Sequence, residues 1–248
     1  MNEPLPSDYR ERIYKYYLEA RCDAPAPQSV DSFAPRMPYL RQLIARHFPP
    51  DRAANCFDLG CGHGALMYAA RSAGYTNVAG VDRSPEQVRT AKRLGIDNVR
   101  EGDLLTTLHE LADASQDVVI AFDVIEHFSK SELVCFIDEV HRVLKPGGKW
   151  LLHTPNGESP FVGRIRYGDM THELAFTRVS IQQLLLASAF SHVACFEDAP
   201  VPHGAKSLVR AALWPVVRYG LIACSAVETG CLDRSAILTQ NFLTVAVR

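Results

Sequence analysis

The chain has 248 residues, of which 47% are hydrophobic and 22% charged, with a formal net charge of −2. This composition supports one sizeable core and excludes a collagen-like or disordered chain. The near-neutral balance supplies no broad attraction for nucleic acid, whose binding needs clustered Lys and Arg to displace counterions.

The N-terminal residues MNEPLPSDYRERIYKYY are polar and lack the apolar core of a signal peptide, so a cytoplasmic protein is expected. Residues 1–35 mix aromatics and charges with a Pro-rich stretch at 23–27 and read as an arm or lid. Tyr14, Tyr16, Tyr17, Arg36 and Tyr39 are its candidates for closing over a ligand. Seven cysteines (Cys22, Cys56, Cys61, Cys135, Cys195, Cys224, Cys231) form no CxxC pair and cannot all pair internally. They read as reduced, buried thiols rather than a zinc ribbon or a disulfide framework.

Apolar residues at helical spacing (Leu40, Ile44, then Phe48) predict a helix over 37–47, stopped by Pro49 and Pro50. From there short apolar runs alternate with helical stretches. Strands are predicted at 56–59, 78–81, 117–122 and 149–153, and helices from near Gly64, Pro85, Ser131 and Ser180. Ser84 before Pro85, and Ser129 or Ser131 further on, are the capping signals, and Lys145-Pro146-Gly147-Gly148 predicts a turn. Alternation of this kind predicts a mostly parallel sheet with helices on both faces. Beyond residue 155 the rhythm weakens into a long irregular connection, of the sort that carries function in α/β domains.

Gly60, Gly62 and Gly64 fall in the first strand-to-helix turn, where bare backbone lets a ligand approach closely and a helix start offers free N–H groups. Gly60-x-Gly62-x-x-Ala65 satisfies the dinucleotide fingerprint, and Asp82 ends the second strand where a ribose-binding acid belongs. That motif alone leaves NAD and other adenosine-containing cofactors open.

Five segments in order, FDLGCGHG, VAGVDRS, EGDLL, VVIAFDVIEHF and LKPGGKWLLHTPN, resemble the motifs of class I S-adenosylmethionine (SAM)-dependent methyltransferases across residues 56–156. The resemblance implies an α/β Rossmann-like fold: a seven-stranded, mostly parallel sheet with an antiparallel C-terminal hairpin formed by HVACFED and NFLTVAVR. It also implies a single domain in which 36–156 binds SAM and 157–248 supplies the acceptor side. Asp58, Gly60, Cys61, Gly62 and Gly64 would receive the methionine part, Asp82 the two ribose hydroxyls, and Asp103 with Leu104 the adenine, with Arg83 a further cofactor-binding residue. Phe122 and Asp123 would border the sulfonium, and Arg36 would pair with the SAM carboxylate. An acid at Asp58 suits the ammonium of SAM and does not suit a pyrophosphate, which favours SAM over NAD.

Methylating a hydroxyl needs a base or a metal beside the acceptor oxygen. Asp123, Glu126 and His127 would converge at i, i+3, i+4 if a helix begins after the fourth strand. The trio resembles the acidic-x-x-Glu-His cluster of the ubiquinone-biosynthesis O-methyltransferases, associated there with a divalent cation. Here the first position is Asp rather than Glu, and a metal at these three residues is admitted but not favoured. His127, His172 and His153 are the candidate bases. His172 opens a stretch resembling the H-x-x-x-F-T and L-L-x-x-x-G-F pattern of polysaccharide and natural-product methyltransferases, with Ala189 in place of the glycine. The expected reaction is O-methylation of a small or saccharide-like acceptor, with N-methylation and an NAD(P)-binding or non-catalytic protein as alternatives; no nucleic-acid partner is expected. The apolar stretch 207–227, interrupted by Arg210, Pro215 and Arg218, is a poor transmembrane helix and reads as a lid, a homodimer contact, or a peripheral membrane or lipid-linked acceptor contact.

Overall fold

Each predicted strand becomes a strand, and the central ones are buried against their neighbours. The computed structural model describes Ile13 and residues 26–248, so the expectations for Tyr14, Tyr16 and Tyr17 lie outside the described residues. Seven strands, β1 (Cys56–Leu59), β2 (Val78–Asp82), β3 (Val99–Glu101), β4 (Gln116–Phe122), β5 (Leu144–Pro155), β6 (His192–Glu197) and β7 (Asn241–Val247), form one sheet in the order β3-β2-β1-β4-β5-β7-β6. The first five are parallel, and β7 runs antiparallel between β5 and β6.

Helices cover both faces. Against one face lie α1 (Met37–His47), α2 (Ala65–Ser72) and α3 (Pro85–Arg93), where Leu40, Ile44, Met67 and Ala70 pack on Val118 and Ile120. Against the other lie α4 (Leu104–Glu110) and α5 (Lys130–Val143), where Phe136 and Ile137 pack with Trp150 and Phe242. Burial on both sides is why the central strands read as unbroken apolar runs. The caps follow the sequence signals: Ser84 accepts the Gln87 N–H with Pro85 at the first position of α3, and Ser129 forms a capping box with Glu132 on α5.

Three expectations change. The Lys145–Gly148 turn is absorbed into β5 as an irregularity, because pairing with β4 jumps from Gln116↔Leu144 to Val118↔Lys149 and leaves the intervening residues bulged. The C-terminal strands pair as expected, but not as a tight hairpin: residues 198–240 intervene and carry α8 (Ala205–Thr229). Cys56 is buried, whereas Cys135, Cys224 and Cys231 are exposed, contrary to the reading of all the thiols as buried. The long connection after β5 contains one short helix, α6 (Val162–Arg166), before α7 (Arg178–Ala187), and is otherwise irregular.

Ala189 explains why glycine is usual at its position. Helix α7 ends in a Schellman motif, with the Phe190 N–H donating to Leu185 O (3.1 Å) and the Ala189 N–H to Leu186 O (3.2 Å). This places Ala189 in the left-handed region at φ 67°. A Cβ there costs energy that glycine avoids, partly offset by the greater freedom of glycine in the unfolded chain. Ala189→Gly should therefore raise unfolding stability by about 0.5–1 kcal/mol in urea titration; a variant no more stable than the parent would show that the turn is unstrained.

Candidate functional site

Because β2 lies on one side of β1 and β4 on the other, a crevice opens at the carboxyl ends of these strands, where parallel sheets bind ligands. A cavity of about 940 Å³ occupies it. Its base is the loop after β1, in which Gly60 (φ 73°) and Gly64 (φ 82°) are left-handed. A Cβ would stand 2.6 Å from the Val124 side chain at Gly60 and 2.8 Å from Ile96 at Gly64, so conformation and space both require glycine.

Asp82, at the tip of β2, accepts the Gly62 N–H at 2.7 Å through one oxygen and the Ser84 N–H at 2.8 Å through the other. The glycine loop is thereby tied to the neighbouring strand, and each oxygen keeps acceptor capacity for a ligand hydroxyl. Burial pushes the Asp82 carboxyl up, opposed by the Ser84 and Gly62 amides. Asp58 is only 3% exposed. Burial, and then repulsion from Asp82, push it up to about 8, with Arg36 acting the other way.

Arg36, Cys61, Arg83, Asp103, Leu104, Phe122 and Asp123 all line the same cavity. Asp103 also has structural work, as its Oδ1 caps α4 by accepting the Thr106 N–H at 3.0 Å. Sequence reading missed His63, a lining residue stacked on Phe33 (centroids 5.3 Å) and bonded through Nδ1 to Gln87 (3.1 Å).

A second cavity of about 440 Å³ shares Arg36, Phe122 and Asp123 with the first, so these residues form the wall between two chambers. Tyr39, His153, Asp198, His203 and Arg210 are among its other walls. Asp123, non-glycine yet at φ 55°, is held by its N–H to His153 O (2.9 Å). Its Oδ1 lies 2.8 Å from His153 Nδ1, and Asp198 Oδ2 lies 3.3 Å from His153 Nε2. Carboxylates only accept, so both ring nitrogens donate and the ring is an imidazolium. Burial opposes that charge, but the two aspartates outweigh it and hold the His153 pKa at about 10. His153 is thus a fixed cation, which corrects its reading as a base.

His127 differs. It sits in a 3₁₀ turn, Ile125–His127, with Nδ1 2.9 Å from Thr171 Oγ1 and 3.3 Å from Thr171 O. The Thr171 hydroxyl donates to Asp169 Oδ1 at 2.6 Å, so Nδ1 must carry the ring proton and the neutral ring has its lone pair on Nε2. Burial, and then His172, hold the His127 pKa below its ordinary value. His172 Nδ1 similarly donates to Ile165 O (3.1 Å), and its ring lies 4.7 Å from that of His127.

The expected convergence of Asp123, Glu126 and His127 is not what the fold makes. The left-handed Asp123 and the short 3₁₀ turn break the helical spacing, and Asp123 turns to His153. Among the described residues, the ligating atoms within 4.8 Å of one another belong to Glu126, His127 and His172. Glu126 is fully buried, accepts the Thr154 hydroxyl at 3.4 Å through Oε2, and leaves Oε1 without a partner. Burial, and then Asp123, push its pKa well above the usual carboxylate range.

Residues 57–152 match the profile of a family described as a methyltransferase domain. The ubiquinone biosynthesis O-methyltransferase of Mesorhizobium japonicum is 33% identical over 135 residues, covering 49% of this chain and 51% of that protein. The chain therefore spans about half the length of the curated relatives it matches. A SAM-dependent methyltransferase structure from Archaeoglobus fulgidus superposes with a TM-score of 0.64 at 17% identity, covering 94% of this chain and all of that one. Phosphoethanolamine N-methyltransferase 2 of Haemonchus contortus, in complex with SAM, superposes at 0.57 with 16% identity, covering 85% of this chain and 52% of that one.

The proton on Asp58 has a thermodynamic consequence. An unfolded Asp ionises near 3.9, whereas the folded carboxyl holds its proton to about 8, so the folded state binds more protons between these values and stability falls as pH rises through them. Asp58→Asn should raise the melting temperature at pH 7, by roughly 1–3 kcal/mol in stability, and flatten its decline between about pH 4 and 8; an unchanged slope would show that Asp58 is ionised throughout.

Proposed function

We propose that the chain is a class I SAM-dependent methyltransferase that binds SAM in the larger cavity, which His127 also lines, and methylates a hydroxyl that a small or saccharide-like acceptor extends there from the smaller one. SAM supplies an electrophilic methyl group: as the acceptor oxygen bonds to that carbon, the carbon–sulfur bond breaks and the sulfonium leaves as a neutral thioether. In this reading Asp58 takes the ligand ammonium, whose charge restores ionisation of the buried carboxyl, and Arg36 takes its carboxylate. Asp82 accepts the ribose hydroxyls with the acceptor capacity its two amide bonds leave, and Asp103 and Leu104 border the adenine. Phe122 and Asp123 stand at the wall where the two ligands meet.

One observation carries the O-methylation reading: His127 is neutral and has its proton fixed on Nδ1 by Thr171 and Asp169, which leaves Nε2 as the basic nitrogen. A hydroxyl acceptor needs such a group, whereas an amine with its lone pair available does not. His153 contributes positioning by holding Asp123 and Asp198.

The Glu126, His127 and His172 cluster favours a second reading, in which the three residues hold a divalent cation that polarises the acceptor oxygen. One carboxylate and two imidazoles, each with Nδ1–H engaged by a backbone carbonyl, fit such an ion. A protonated Glu126 accounts for the same burial with no ion, and the metal-free base is preferred.

Calorimetry should detect micromolar binding of S-adenosylhomocysteine and none of NADH; the reverse would replace methyl transfer with redox chemistry. His127→Ala should lower kcat by about 10² or more while leaving S-adenosylhomocysteine affinity nearly intact. With a base held below 6.5, kcat should fall as pH drops through that lowered value, and the limb should vanish in the variant. Exhaustive chelation should leave turnover unchanged; its loss, restored by added divalent cation, would establish the metal reading.

A further inference from the structure

Helix α8 exposes an apolar surface unlike any other described element. Its 25 residues extend about 37 Å, and its most apolar stretch has a mean hydropathy of 1.2 with 11% of that window buried. One face meets the body through Ser207, Trp214, Arg218 and Ile222. The opposite face presents Val209, Leu213, Val216, Val217 and Val227, with Leu213 and Val216 56% and 70% exposed. A soluble protein rarely leaves so long an apolar surface uncovered.

The helix does not cross a bilayer, because its middle is fastened to the sheet. Arg218 Nε donates to Glu197 Oε1 at 2.9 Å, its Nη2 donates to the carbonyls of Arg234 and Ala236 at 2.8 Å each, and Trp214 Nε1 donates to Glu197 Oε2 at 3.1 Å. Glu197 ends β6, and both flanking strands belong to one sheet. What this geometry permits is lying flat, with the outer face down.

Charge and position identify what it would lie on. From Ala205 to Val227 the charged residues are Lys206, Arg210 and Arg218, and the first acid is Glu228. With Arg218 engaged by Glu197, the other cations of this stretch, Lys206 and Arg210, are at the N-terminal end, where an anionic leaflet attracts them. That end also borders the smaller cavity, whose walls include residues 198–201, His203 and Arg210 of α8 itself. The N-terminal end of the apolar helix and the acceptor chamber therefore adjoin.

We propose that α8 is a monotopic docking element that seats the acceptor chamber against an anionic lipid surface, so that the acceptor is a membrane-borne amphiphile offering its hydroxylated head group to the chamber. The acceptor clause rests on the methyl-transfer reading; the docking clause does not, and vesicle binding tests it alone.

The full chain should co-sediment with phosphatidylcholine–phosphatidylglycerol vesicles and much less with phosphatidylcholine alone. Leu213→Glu with Val216→Glu should cut partitioning at least about tenfold, since both side chains lose their place in the acyl boundary. Both residues are solvent-facing, so circular dichroism and S-adenosylhomocysteine affinity should match the parent, which separates lost docking from lost folding or lost cofactor binding. Lys206→Ala should weaken the preference for anionic vesicles. Failure of the parent to sediment with either vesicle, or equal sedimentation of the double variant, would overturn the proposal. So would light scattering that shows a dimer converted to a monomer by the double variant, because Glu228 of one copy meeting Lys206 of another would make this face a self-interface. If docking holds, an acyl- or prenyl-linked acceptor mimic should be turned over faster on vesicles than its soluble head group by the parent alone; equal turnover would overturn the acceptor clause.

Discussion

Four carboxyl groups crowd the carboxyl edge of one sheet, and two of them, Asp58 and Glu126, are buried from water. The fold treats each differently. Asp82 is compensated by two backbone amides and Asp123 by the His153 imidazolium, while burial shifts Asp58 and Glu126 towards their protonated forms. These unequal solutions give the crevice its chemistry. Asp58 is set to respond to an arriving cation, Asp82 is set to fasten the glycine loop, and Asp123 is locked at the wall between two chambers.

The histidines divide along the same principle. His153 lies between two acids and keeps its charge, so it organises the site without exchanging protons near neutrality. His127 faces a hydroxyl whose own proton is committed to Asp169, and burial keeps the ring neutral with its basic nitrogen defined. The two histidines thus come to opposite protonation states through their partners alone.

The parallel core was readable because strands buried on both faces must be apolar throughout, and helix caps and glycine turns have local chemistry. The glycine loop and Asp82 were legible for the same reason, as they lie within a single strand–turn–helix unit and the strand beside it. What could not be read was set by distant partners. Thr171 reaches His127 across 44 residues and Asp198 reaches His153 across 45, with no spacing to announce either. The helical convergence of Asp123, Glu126 and His127 failed because the β4–β5 pairing forces Asp123 into a left-handed conformation that sequence associates with glycine. His63 lay inside a motif read for its glycines, although a ring between two of them was a signal in plain view.

The position of β7 carries a consequence for how the molecule is made. It lies between β5 and β6, yet it is the last of the seven described strands to be translated. While the ribosome is still producing α8, β6 has no neighbour to pair with, and the apolar helix emerges before the strand that completes the sheet beneath it. Closure of this sheet therefore waits for the synthesis of β7, and in that interval an unpaired strand edge and a bare apolar helix are displayed together, which makes the nascent chain a natural client for a chaperone.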